Sequence, residues 1–196
     1  MKLHYMGKYS GNENDIPHGE HRQGAVMFRE PDMKKLAILM NIAAFIIAAI
    51  LLVIVGAVSI KADTGGLNDS WSLCIGALLT VFALFPHEII HALCFKGDVY
   101  LYTNLKQGML FVAGPEDMTK TRFVMMSLAP NIVFGFIPFI LFLIFPKAII
   151  LGVFGAISIS CSAADYLNVI NALTQMPKGA LTYLYGTHSY WCIPEK

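Results

Sequence analysis

From Leu36 to Ile60 the chain carries no charged residue, and a stretch so apolar and so long can cross the hydrocarbon core of a bilayer as one helix. Lipid offers the backbone no hydrogen-bond partners, which is why a crossing segment of this kind satisfies itself by becoming helical. Three more stretches read the same way: Trp71 to Phe95, Phe123 to Phe145, and Ala148 to about Ala172. The fold class expected is therefore an all-α membrane protein with four transmembrane helices and a small cytosolic β-hairpin between helices 2 and 3. Composition agrees, since 56% of the 196 residues are hydrophobic and only 14% charged, too oily for a soluble domain of this size. A formal net charge of +1 gives no dense basic face to neutralise phosphates, so the expected surroundings are a lipid bilayer and not nucleic acid.

The polar residues 1–34 contain no apolar run after Met1-Lys2 that could act as a signal peptide, and they read as a cytosolic arm. At its end Pro31 and Asp32 stand where a helix N-terminus favours proline and acids. A polar loop, Lys61 to Ser70 with Gly65-Gly66, leads to the second span. Val99 to Thr103 and Met109 to Ala113, separated by Asn104 to Gly108, alternate as the two strands of a hairpin that Gly114-Pro115 would end. Only Pro146-Lys147 joins the third and fourth spans, which predicts antiparallel neighbours. The Tyr-rich tail, Pro177 to Lys196 with Trp191, suits the membrane interface. The domain reading is an arm (1–34), a transmembrane domain (35–176) and a cytosolic interfacial tail (177–196).

Positive charge sets the expected orientation. Of the 14 Lys and Arg residues, six lie in the arm and its junction up to Lys35, four in the 96–122 segment and two in the tail, leaving Lys61 and Lys147 for the other side. Both termini are expected in the cytosol, in a multi-pass protein of the inner membrane. The four cysteines, Cys74, Cys94, Cys161 and Cys192, form no C-x-x-C pair and indicate neither a zinc knuckle nor a disulfide framework.

Within the second span stands Pro86-His87-Glu88-Ile89-Ile90-His91. Histidines four apart on a helix present both imidazoles to one ion, and the intervening Glu88 is placed to handle a water. The remaining carboxylate within the spans is Asp165, at a depth near 10 Å that matches the histidines, about 6 and 12 Å from the cytosolic end. Ionisable groups at such depth are costly and are functional hypotheses by default. Two imidazoles, one carboxylate and an open position make the catalytic kind of Zn2+ site. Cys94, three after His91, and Cys161, four before Asp165, share the relevant faces and are the alternatives to Asp165. Asn131 and Asn168 reach similar depth and could hold a substrate carbonyl or orient a ligand, with hydrogen bonding between helices as their plainer role.

These residues, with Ser127-Leu128-Ala129-Pro130 opening the third span, resemble a family of small bacterial membrane proteins of zincin-peptidase type. More distantly their order is similar to that of the site-2 proteases, which cleave transmembrane segments and carry their third ligand in an Asn-Pro-Asp-Gly or Leu-Asp-Gly setting where this chain has Ala164-Asp165-Tyr166. The resemblance implies an intramembrane zinc metalloprotease acting on membrane-protein or peptide substrates. His87, His91 and Asp165 would be its metal ligands and Glu88 its general base. A non-enzymatic metal-binding or scaffold protein is the rival reading, and Glu88 separates the two because hydrolysis needs it and metal binding does not.

Overall fold

The computed structural model describes residues 2–64, 69–104 and 109–194. Gly65-Gly66 and the loop residues 105–108 of the expected hairpin lie outside them. The chain divides into two compact units, and neither is a continuous stretch: one comprises Pro31–His87 and Ala129–Tyr166, the other Met1–Glu30, Glu88–Leu128 and Leu167–Lys196.

The first unit is helical. Helix α1 (Met33–Lys61) starts at Asp32, whose carboxylate accepts from the Lys35 N–H at 3.1 Å, the capping role that the Pro31-Asp32 pair announces. Helix α2 (Ser70–Leu93) is preceded by Asp69, which accepts from the Ser72 N–H at 3.2 Å and hydroxyl at 2.6 Å. The helix continues through Pro86. Helix α3 (Lys120–Asn131) passes into a π-helical turn, Ile132–Phe136, and then into α4 (Ile137–Ile144). Helix α5 (Ile149–Cys161) packs against both α1 and α4 around Val55, Phe139, Phe142, Ile149, Val153, Ala156 and Ile159. Glycine permits the closest of these approaches: a Cβ on Gly155 would stand 2.6 Å from the Phe139 nitrogen and 2.8 Å from the Gly135 carbonyl oxygen. Small residues that let backbones meet are the usual device where lipid removes the hydrophobic drive between helices.

Among the described residues three helices are long and apolar enough to cross a membrane, Lys34–Lys61, Ser70–Leu93 and Lys120–Ile144. The expected fourth span is not straight: α5 and α6 (Ala163–Gln175) meet at a bend of 51° and make a fourth crossing only if the pair counts as one. Ser160 and Ser162 donate their hydroxyls to the carbonyls of Ala156 (2.7 Å) and Ser158 (3.1 Å), a pairing that loosens and bends helices.

The other unit holds the strands, and here the all-α expectation is too narrow. Strands β3 (Val99–Asn104) and β4 (Met109–Ala113) pair antiparallel as the alternation predicts, with Tyr100 opposite Ala113. The arm adds a third strand, β1 (Leu3–Lys8), parallel to β3. A second sheet runs β2-β7-β6-β5, from β2 (Val26–Met27), β5 (Met118–Thr119), β6 (Leu181–Tyr185) and β7 (His188–Cys192). The tail is thus a hairpin: Tyr185 pairs with His188 across Gly186-Thr187, and Gly186 supplies the positive φ of 60° that a two-residue turn needs. Phe28, Met118, Phe123, Met126, Ala172, Met176 and Ala180 form the core beneath this sheet.

Candidate metal centre

Helix α2 carries the site because its spacing stacks His87 and His91 one turn apart with Glu88 beside them. Ligand-capable atoms of His87, Glu88 and His91 lie within 4.8 Å of one another, and this is the one such group of three among the described residues. His91 is buried, 7% exposed, whereas His87 and Glu88 are half-buried.

The two histidines are held by different partners. His91 Nδ1 lies 2.9 Å from the Met126 carbonyl oxygen, which can only accept, so Nδ1 carries a proton and, in the neutral ring, Nε2 carries the lone pair. Metal-binding histidines characteristically donate their other N–H in this way. His87 Nε2 lies 3.3 Å from Asp165 Oδ2. That is an ion-pair distance, and Asp165 does not join the group of three, whose ligand atoms alone among the described residues all lie within 4.8 Å of one another. The donor set of that group, two imidazoles and one carboxylate, is the nitrogen and oxygen chemistry zinc takes, and in donor type these residues fit the ion.

The other residues singled out in the sequence fall elsewhere. Asn131, almost fully buried, donates from Nδ2 to the Tyr166 hydroxyl, a bond between helices of the apolar unit. Tyr166 had no signal in the sequence beyond its place beside Asp165. Asn168 lines a cavity of about 150 Å³ with Val112, Gly114, Glu116, Met126 and Tyr183. The Cys94 thiol donates to the Ile90 carbonyl at 3.4 Å, and Cys161 is exposed; neither belongs to the group of three.

A clamp that the sequence did not announce fixes the end of α2. Arg122 donates from Nε (3.1 Å) and Nη2 (2.7 Å) to the Cys94 carbonyl and from Nη1 to Glu116. Glu116 in turn accepts from the N–H groups of Lys96 (2.6 Å) and Gly97 (2.9 Å). Burial pushes the Glu116 carboxyl up, but Arg122 and the two N–H groups together hold it below the ordinary carboxylate range. The clamp ties α3 to the chain leaving α2, and α3 also carries the carbonyl that orients His91.

The model of a family described as "Putative zincin peptidase" matches residues 78–181, which include the whole motif and Asp165. No curated protein and no solved structure matches the chain at a significant level.

Proposed function

Starting from the premise that this chain belongs to the zincin peptidase family, whose model covers just over half of it, we propose that it is a membrane-embedded zinc metallopeptidase cleaving membrane-protein or peptide substrates near the cytosolic face. The observation that carries the reading is the convergence of His87, Glu88 and His91 on one turn of a helix apolar enough to span a bilayer. His87, His91 and Asp165 would hold the ion. Bound zinc would supply Lewis acidity to the scissile carbonyl and to the attacking water. Glu88 accepts the proton released as water adds to the carbonyl carbon, and delivers it to the amide nitrogen as the C–N bond breaks. A carboxylic acid and an amine result, the acid's proton passing to the amine to leave a carboxylate and an ammonium.

A helical substrate hides its carbonyls in its own hydrogen bonds, so cleavage requires an extended segment. Strand β4 is the edge of its sheet, and the cavity beside it reaches β6, which supports a role for β4 in pairing with such a segment. Proline at Leu110 would then cut cleavage and leave zinc content unchanged.

The decisive experiment measures zinc and hydrolysis together. Purified protein should carry about one zinc per chain, and His87→Ala and His91→Ala should each lose it. Asp165→Asn should bind zinc more weakly, Cys94→Ser and Cys161→Ser should keep it, and Glu88→Gln should keep zinc and lose hydrolysis. Full zinc in both histidine variants would sink the reading, and zinc without any Glu88-dependent hydrolysis would leave a metal-binding scaffold.

The orientation proposed, with both termini in the cytosol of a cell with an inner membrane, rests on the split of Lys and Arg. Single cysteines introduced at Lys2 and Lys178 should label only from the cytosol, those at Lys61 and Lys147 only from outside. The reverse pattern would put the site in the wrong compartment.

A further inference from the structure

The Met126 carbonyl that holds His91 sits inside helix α3, where such an oxygen ordinarily accepts from the N–H four residues on. Four residues on is Pro130, which has no N–H. We propose that Pro130 is a positioning residue for the metal centre: by withholding the helical donor it leaves the Met126 carbonyl to the His91 Nδ1–H, which fixes the tautomer that turns Nε2 toward the ion. This rests on the zinc reading and adds a residue that touches neither metal nor substrate.

The physical case has three parts. A neutral imidazole has one N–H and one lone pair, so a strong acceptor at Nδ1 determines that Nε2 is the ligand atom. The bond is buried, His91 being 7% exposed, so water does not compete well for the oxygen. Proline inside a helix removes a hydrogen bond and leaves an acceptor without its usual donor, and here that acceptor meets a donor 35 residues away in sequence. With alanine at 130 the restored N–H would share the carbonyl with His91, and the ring would be free to populate the other tautomer. Loss of such a supporting bond lowers metal affinity by about 10- to 100-fold.

Pro130 is itself fully buried, so replacing it also removes packing, and the test must separate the ring from the missing N–H. Three forms of the full-length protein in nanodiscs serve: wild type, Pro130→Ala, and a form with the ester-linked hydroxy acid of alanine at 130, which has alanine's side chain but no N–H. Nitrogen-15 spectra of the metal-stripped protein, with His91 assigned by its loss in His91→Gln, should show the Nδ1–H tautomer in the wild type and a mixture in Pro130→Ala. Zinc affinity should fall at least tenfold in Pro130→Ala. The ester should restore both the tautomer and most of the affinity. An ester form that behaves like Pro130→Ala would overturn the proposal, because the ring would then be what matters. So would a wild type whose His91 is Nε2-protonated, a result that stands even if Pro130→Ala does not fold. A wild type that shows the Nδ1–H tautomer but binds no zinc would defeat the peptidase reading alone.

Discussion

The apolar unit, with α1 and α5, and the strand-bearing unit, with the two sheets, are each held together internally, and by opposite means. In the first, helices touch through glycine: Gly155 lies against the backbone of Phe139 and Gly135, and Gly152 against the Phe142 ring. In the second, a guanidinium and a carboxylate tie together chain segments that lie far apart in sequence, Arg122 and Glu116 to the residues after α2. In the bilayer proposed for it, an apolar unit would have no hydrophobic reason to associate and would depend on fit of surfaces, whereas segments in water can use charge if the charge is fully bonded. Two different sensitivities follow, to volume in one unit and to charge and pH in the other.

The largest expected effect tests the first. Gly155→Ala places a methyl group 2.6 Å from a backbone nitrogen and 2.8 Å from a carbonyl oxygen, neither of which can swing aside as a side chain could. We expect a loss of about 3 kcal/mol in unfolding free energy in detergent micelles, the same at every pH from 4 to 8. A loss below about 1 kcal/mol would mean that the helices separate easily and that glycine is not what joins them. Arg122→Ala should cost less, about 2 kcal/mol, through the bonds lost to Cys94 and a Glu116 carboxylate left three-quarters buried or more.

What the sequence makes legible follows the range of the interaction. The apolar runs, the Asp32 cap, the β3–β4 hairpin and the spacing of His87, Glu88 and His91 are local, each written in residues a few positions apart. Strand β1 is not, because its pairing with β3 joins Leu3 to Val99 and nothing in Leu3–Lys8 names its partner. The bend at Ser162 is an intermediate case: the serines are visible, but hydroxyl-to-carbonyl bonding in a helix does not always bend it. The tail reads as aromatic and interfacial, and its hairpin, paired from Leu181 with Cys192 to Tyr185 with His188, closes at a turn where Gly186 has a positive φ. At the site, the acceptor for His91 Nδ1 is a backbone oxygen, which has no letter in the sequence at all.

The smallest effect separates charge from packing in the strand-bearing unit. Glu116 has its carboxyl held below the ordinary range in the folded protein, so folding favours its ionised form. For such an acid the stabilising contribution is fully present above the unfolded value, about 4.5, and is lost as pH falls through the lower folded value. Unfolding free energy of the wild type should therefore decline below pH 4.5 more steeply than that of Glu116→Gln, which keeps hydrogen-bonding capacity but has no charge to lose. Arg122→Ala should be shallower than wild type as well, because the guanidinium is part of what depresses the carboxyl. Gly155→Ala should parallel the wild type, displaced downward by a constant amount. If wild type and Glu116→Gln ran parallel through pH 3–6, the clamp would be holding by shape, as the glycine contacts do, and the two units would not differ in kind.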